Sequence, residues 1–294
     1  MQPSYTIKIF LPSGDPSGLR VLTRQNWTGT GLAFARTGFQ AAAQRSELKQ
    51  PGVYVLVGET EDSSLPTVYI GEGDPVINRL IDHNKNKDFW EWAVVFTSTD
   101  NSLNKAFVQH LESRLITIAQ ENKRCNVANS TSPKRPTLIE SDLADMENFL
   151  DTLRGIFPLV GLNIFEKSKA MAKAKKDRFF LKGREGADAT AIQQANGFIV
   201  LKESKAALTA TSALSPAVGK LRQDLIKKGV LVQKNEAYVF TDDYSFTSPS
   251  LASGIILGRN ANGRKEWKDN AGKSLNDIAA EPAANGGNTT DIEG

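Results

Sequence analysis

The sequence predicts a mixed α/β protein, of the α+β type, built from two folded units. Short runs rich in Val, Ile and Tyr, typical of strands, alternate with longer segments whose apolar residues recur every three or four positions, typical of helices. The chain has 294 residues and is 40% hydrophobic, which is enough for two ordinary domains with cores of their own. Between residues 167 and 184 lysine and arginine dominate, so the composition changes where the two units would join.

Cysteine and histidine are scarce. Cys125 is the single cysteine, and His83 and His110 are the two histidines. A disulfide framework is therefore excluded, and a structural zinc site, which usually takes four Cys or His ligands, is not expected. Any metal should be held by carboxylates, which suits Mg²⁺ or Mn²⁺. The net charge of +3 permits an anionic partner without requiring one.

The N-terminal segment "MQPSYTIKIFLPSG" lacks the basic-then-apolar layout of a signal peptide. The longest mostly apolar stretch, residues 155–165, is about half of the ~20 residues that a membrane span needs. We expect a soluble, cytoplasmic protein without a membrane partner.

The first unit begins with an extension, residues 1–50. Alternating residues on both sides of "PSGDPSG" predict a β-hairpin, and a helix is predicted over residues 40–48. Strands are then expected in "GVYVLVG", "TVYIG" and "WAVVFTS". A helix beginning at Pro75 should lie between the second and third of these strands. The pattern predicts a three-stranded sheet in a domain spanning residues 51–165.

The clearest helix follows the third strand, where Leu103, Phe107, Leu111 and Leu115 recur at helical spacing. Glu112 lies beside this apolar stripe, so its carboxylate is expected at the edge of a buried face. A further helix is predicted over residues 140–157.

The rest of the chain divides into three segments. A basic connector is predicted over residues 166–185, and a small α+β domain over residues 186–278. Strands are expected in "FFLKG", "GFIVLKES", "GVLVQ" and "AYVFT", with helices near "SPAVGKLRQDLIKK" and "SPSLASGIILG". Residues 279–294 are small, polar and free of aromatic residues, and are predicted to be disordered.

Two tyrosine-containing strand motifs, an arginine and a glutamate follow one another along the first unit. "GVY" ends at Tyr54, "YIG" begins at Tyr69, Arg79 follows on the next helix and Glu112 on a later one. Their order and spacing resemble the GIY-YIG nuclease superfamily over roughly residues 52–164. The segment "YSFTSPSLASGIILGRNANGRKEWK" with "GKSL" looks like an uncharacterised domain that is often fused behind bacterial GIY-YIG modules.

The resemblance implies a small three-stranded antiparallel sheet flanked by helices. It also implies hydrolysis of a nucleic-acid phosphodiester, DNA above all, with one Mg²⁺ or Mn²⁺ ion. By position, Tyr54 would assist proton removal from water with Tyr69 beside it, and Arg79 would neutralise charge on the phosphate. Glu112 would bind the metal, and His83 could contact phosphate. An asparagine usually completes such a site, and Asn129 is favoured over Asn126.

Several basic residues are candidates for sequence-independent phosphate contacts. They are Lys173, Lys175, Lys176, Arg178, Arg264 and Lys265. Glu72 departs from the family pattern, because an acid at that position would repel DNA unless it turns away or helps to hold metal. Gly71 and Gly73 are expected to leave room for the phosphate backbone.

Two alternatives to a restriction, repair or defence endonuclease stay open. The fold could recognise nucleic acid without cutting it. Alternatively, the C-terminal domain could bind a protein partner, or a second copy of the chain, that delivers the nuclease.

Overall fold

The computed structural model describes residues 4–61, 63–131, 133–166, 178–194 and 197–280. The chain divides into two compact units, residues 1–167 and 168–294, and each is described by itself. The fold is α+β, with one multi-stranded sheet in each unit.

The first unit contains seven strands and four α-helices among its described residues. The strands are β1 (Ile7–Phe10), β2 (Arg20–Arg24), β3 (Gly29–Ala35), β4 (Gly52–Gly58), β5 (Thr67–Gly73), β6 (Trp92–Ser98) and β7 (Asn126–Val127). The helices are α1 (Phe39–Ala43), α2 (Val76–Asn86), α3 (Lys105–Asn122) and α4 (Glu140–Ile156). The sheet has the order β1-β2-β3-β6-β4-β5-β7, and all its pairs are antiparallel except β5 with β7.

The sheet is larger than the sequence predicts. The three expected strands are β4, β5 and β6, but β3 pairs with β6 along its whole length. The N-terminal hairpin is therefore continuous with the main sheet and is not a separate extension. The helix expected over residues 40–48 is shorter, because α1 ends at Ala43 and a 3₁₀ turn, Ser46–Lys49, follows.

Both faces of the sheet are covered, and alternation along β4 shows how. Val53, Val55 and Val57 pack in the core formed with α3 and α4. Tyr54 and Leu56 point to the opposite face, into a smaller core with side chains of α1 and α2. Burying each such aliphatic side chain contributes about 1.5–3 kcal/mol, so this strand is fixed in its register by both cores.

The second unit has its own sheet and core. Its strands are β8 (Arg178–Lys182), β9 (Asp188–Gln194), β10 (Gly197–Val200), β11 (Lys205–Ala207), β12 (Leu231–Lys234), β13 (Ala237–Phe240) and β14 (Tyr244–Phe246). Its helices are α5 (Pro216–Lys227), α6 (Pro249–Leu257), α7 (Gly263–Glu266) and α8 (Leu275–Ala280). Trp267 is fully buried and its ring lies 4.9 Å from that of Phe198. All the strands and helices predicted in this unit are present, and β9, β11, β14, α7 and α8 are additional.

Two predictions concern the ends of the second unit. The basic connector was expected to run to residue 185, but β8 pairs with β9 and belongs to the second sheet. Residues 167–177, which carry the rest of the connector, and residues 281–294 of the predicted disordered tail lie outside the described residues. Within the described residues, no helix combines the length and apolar character needed to cross a membrane.

Candidate active site

The corner between β5 and α2 is built around Tyr54. The β4–β5 register places Tyr54 opposite Gly71, on the sheet face that α2 covers. A Cβ atom on Gly71 would overlap the Tyr54 hydroxyl, and one on Gly73 would lie 2.9 Å from Cγ of Arg79. The two glycines therefore make room for side chains of the site itself, and the approach of a phosphate backbone stays a prediction.

Two tyrosines and a histidine form one cluster at this corner. Oη of Tyr54 lies 2.7 Å from Nε2 of His83, within hydrogen-bond distance. The Tyr69 ring stacks at 6.4 Å from the Tyr54 ring and meets the His83 ring edge-on at 4.7 Å. Nζ of Lys87, one turn beyond His83 in sequence, lies 4.3 Å from the centre of the Tyr69 ring. Arg79 and His83 are four residues apart on one side of α2, and Lys87 is the extended residue that follows its C-terminal end.

Burial sets the protonation states of the Tyr54–His83 pair. It raises the pKa of Tyr54, the neighbouring Tyr69 adds to the effect, and Arg79 opposes it. Burial together with the charges of Lys87 and Arg79 lowers the pKa of His83 to about 4. At neutral pH both groups are therefore uncharged, and the imidazole is able to accept the phenol proton.

Arg79 extends from α2 to the two phenols. Burial alone would lower the pKa of its guanidinium, but the charges and hydrogen bonding of Tyr54 and Tyr69 outweigh burial and raise it. The residue is exposed to solvent. A permanently charged, accessible group beside two phenols is suited to an anionic ligand.

Glu112 lies on α3, which packs on the other face of the sheet, yet it interacts with the same site. Burial and the charge of Glu72 raise the pKa of Glu112 to about 7, while Lys105 and Arg79 act in the opposite direction. Among the described residues, none donates a hydrogen bond to this half-buried carboxylate. Its charge is therefore incompletely compensated at neutral pH.

Glu72 is turned toward α3 and paired with a lysine. Nζ of Lys105 lies 2.6 Å and 2.8 Å from the two carboxylate oxygens of Glu72. The sequence identified Glu72 as a departure from the family pattern but did not predict its pairing with Lys105. The contact depends on α3 crossing β5, which no local pattern reveals.

The donor set fits a weakly held divalent cation. In the described part of the chain, no group of three or more His, Cys, Asp or Glu side chains is arranged to hold a metal. Glu112, with Glu72 nearby, offers one or two carboxylates. Mg²⁺ is commonly bound in this way, because it keeps several of its waters and takes its other ligands from phosphate oxygens.

Asn129 is held by the sheet. Its Oδ1 accepts a hydrogen bond from the Ile70 amide (3.0 Å), and its Nδ2 donates to the Ile70 carbonyl (2.7 Å). The side chain thus continues the pairing of β7 along the outer edge of β5. Asn126 lies on β7, where its Nδ2 donates to the Leu65 carbonyl at 3.4 Å. Both side-chain groups of Asn129 are used in positioning the segment that follows α3.

The candidate nucleic-acid residues outside the cluster are spread along the second half of the chain. Arg178 lies on β8, and Arg264 and Lys265 lie on α7. Lys173, Lys175 and Lys176 fall outside the described residues.

A cleft of about 630 Å³ elsewhere in the first unit has the wrong charge for nucleic acid. Its acidic lining residues are Asp100, Asp142, Asp145 and Asp151. Its lining cation, Arg24, is stacked on Tyr5 and donates to Thr152 at 3.0 Å. Four carboxylates would repel a polyanion, so the Tyr54 corner is the better place for one.

Replacing Gly71 by alanine should distort the site. The new methyl group would overlap the Tyr54 hydroxyl, so we expect a loss of about 1–3 kcal/mol in the free energy of unfolding, together with loss of any activity that needs the Tyr54–His83 contact. Urea unfolding gives the stability. The matched control is Gly38→Ala, because a Cβ atom at Gly38 meets nothing within 4 Å. Equal stabilities of the two variants would contradict the packing argument.

Comparison with known proteins identifies a relative for the second unit. Residues 179–279 are similar to a family described as a domain of unknown function (DUF4357), a match that covers about a third of the chain. No curated protein and no solved structure matched the chain. These comparisons do not show a GIY-YIG domain in the first unit. The second unit thus resembles a domain of unknown function that is compatible with the predicted C-terminal partner of a GIY-YIG module.

Proposed function

We propose that the first unit is a GIY-YIG-type endonuclease that hydrolyses phosphodiester bonds of DNA with a divalent metal. The observation that carries the proposal is the 2.7 Å contact between Tyr54 and His83 in a cluster shared with Tyr69 and Arg79. If Arg79 were only a surface charge and Tyr54 only a core residue, neither role would require this cluster of side chains. The electrostatic coupling of Glu112 to Arg79 adds a carboxylate at the same place.

The proton path follows from the protonation states. A water molecule attacks phosphorus and the P–O bond to the leaving oxygen breaks, while the water proton passes to Oη of Tyr54 as the phenol proton moves to Nε2 of His83. The leaving oxygen departs with the bonding electron pair and takes a proton from solvent. The raised pKa of Tyr54 makes a free phenolate inaccessible at neutral pH, so the phenol can act as a base only if it passes its own proton on. Neutral His83 is the group in contact that can receive that proton.

Charge on the phosphate is offset by Arg79. A phosphodiester is already anionic, and attack adds negative charge that a fixed guanidinium stabilises in the transition state. Arg79 is exposed, so it can meet the substrate, and the two phenols hold it beside the attacking group.

Glu112 would hold the metal, with Glu72 as its neighbour. When bound, Mg²⁺ or Mn²⁺ would supply positive charge to the scissile phosphate and the leaving oxygen. The chain's own part is to present a carboxylate that no described donor neutralises. The Lys105 contact holds Glu72 on the same side of the sheet.

Arg79→Ala in a DNA-cleavage assay tests the proposal. We expect a fall in rate of about 10²–10³-fold, because a group aimed at developing charge is lost. The assay uses labelled single-stranded, duplex and forked DNA, and RNA, each with Mg²⁺, Mn²⁺ or chelator. The matched control is Arg45→Ala, which removes an arginine of the same unit that is paired with Glu47.

The result separates an enzyme from a recognition module. Metal-dependent cutting that Arg79→Ala loses and Arg45→Ala keeps would support the proposal and identify the substrate. If wild type cuts none of these substrates, yet wild type and both variants bind DNA equally, the catalytic proposal is wrong.

A further inference from the structure

The second unit carries a basic cleft. Its lining residues are Lys182, Gly183, Arg184, Leu257 and Arg259, and its volume is about 440 Å³. A Cβ atom on Gly183 would overlap the Leu257 side chain, so the glycine lets the turn after β8 close over the end of α6. The cleft therefore has an apolar floor at Leu257 and three cations around it.

The cations differ in how well they are compensated. Nη2 of Arg259 donates to Glu266 at 2.8 Å, and its Nη1 donates to the Asn260 carbonyl at 3.2 Å. Lys182 and Arg184 are exposed and form no ion pair within 4 Å among the described residues, although Asp188 is the cross-strand neighbour of Lys182. The cleft thus combines two exposed cations that have no ion pair within 4 Å in the described part of the chain with one guanidinium that is held in place.

The nearest acid of the turn, Glu185, interacts electrostatically with Arg184, but its carboxylate oxygens are hydrogen-bonded outside the cleft. Both carboxylate oxygens of Glu185 accept hydrogen bonds from Thr209, at 2.7–2.9 Å, from its amide and its hydroxyl. Glu185 does not line the cleft. The lining itself contains three cationic side chains and no carboxylate, so it is complementary to an anion.

The basic surface continues along β8. Leu181 is buried in the core of the second unit, so the alternation of the strand places Arg178, Phe180 and Lys182 on its other face. Phe180 is half-buried. Cations spaced along a strand with an aromatic ring between them suit an extended phosphate backbone whose bases can stack.

We infer that this basic cleft binds the phosphate backbone of the nucleic acid that the first unit acts on. The choice of nucleic acid among anionic partners rests on the proposed function. The second unit would then contribute affinity without sequence preference, because lysine and arginine contacts to phosphate carry no base information.

The test is the salt dependence of binding by the full-length chain. Lys182→Gln/Arg184→Gln removes the two exposed cations of the cleft. The variant and its parent both carry Glu112→Gln and are kept in chelator so that no strand is cut. Affinities for a labelled oligonucleotide, single-stranded or duplex, are measured by anisotropy across a series of NaCl concentrations. Losing two phosphate contacts should reduce the slope of log affinity against log salt by about 1.4 for the single strand and about 1.8 for the duplex.

The matched control is Lys202→Gln/Lys234→Gln, which removes two exposed lysines of the same unit outside the cleft. Arg184→Gln alone should reduce the slope by about half as much. Its side chain is exposed, so we expect the variant to fold as wild type does, which circular dichroism checks. An unchanged slope in the cleft variant, or an equal loss in the control, would overturn the inference. If the chain with Glu112 intact cuts no substrate with Mg²⁺ or Mn²⁺, yet the cleft variant shows the lower slope, the cleft is kept and the nuclease is rejected, so the two proposals fail separately.

Discussion

Replacing Tyr54 by phenylalanine is expected to lower the rate of DNA cleavage by about 10²–10⁴-fold and to leave DNA binding unchanged. The ring is fully buried and should keep its packing, so the change removes little more than the hydroxyl in contact with His83. Without that hydroxyl, the attacking water has no group in the cluster through which its proton reaches the imidazole. Single-turnover rates at saturating enzyme separate this loss from a change in affinity.

His83 distinguishes two roles for the cluster. If it accepts the phenol proton, His83→Ala should slow cleavage as Tyr54→Phe does, and the double variant should be no slower than either single variant. A phosphate contact, the role expected from the sequence, would instead weaken DNA binding. Tyr238→Phe in the second unit is the control for a tyrosine-to-phenylalanine change. Cleavage by Tyr54→Phe at the wild-type rate would contradict the proton path.

Local patterns were enough to predict the elements that carry the site. Alternating β-branched residues predicted the strands of Tyr54 and Tyr69, and helical spacing predicted the helices of Arg79 and Glu112. These signals depend on neighbours within a few residues along the chain. Arg79 and His83 are four residues apart, the spacing of neighbours on one side of a helix.

Contacts between distant segments were not predictable in this way. The strand β3 was missed because Gly29 and Gly31 weaken its pattern, yet a Cβ atom on Gly31 would lie 2.8 Å from the Phe96 ring across the sheet. These glycines are therefore consistent with close packing between neighbouring strands. The partners of Glu72 and Asn129 likewise lie 33 and 59 residues away in sequence, where single-sequence patterns carry no information.

Glu112→Gln is expected to abolish metal-dependent cleavage and to make the protein more stable above neutral pH. The folded-state pKa of about 7 lies above the ordinary value of 4.5. Between these values the folded chain keeps a proton that the unfolded chain has released, so wild-type stability falls as the pH rises through this window. Glutamine carries no charge and escapes that loss. The gain should be on the order of 2 kcal/mol at pH 8, after allowing for partial exposure, and should vanish near pH 4.

Glu147 provides a control of opposite sign. Hydrogen bonds from Arg114, together with the contact with His110, lower the pKa of Glu147 to about 2, although burial acts in the opposite direction. Its stabilisation is present above the ordinary pKa and is lost as the pH falls toward 2, so Glu147→Gln should destabilise the protein at pH 8. Urea unfolding in chelator at pH 5 and pH 8 compares both variants with wild type. Added Mg²⁺ should then raise the free energy of unfolding of the wild type but not that of Glu112→Gln, because a cation that binds the folded state raises its stability. A loss of stability in Glu112→Gln at pH 8 would show that the charged carboxylate does not destabilise the fold. Cleavage of DNA by this variant with Mg²⁺ would show that Glu112 is not needed to hold the metal.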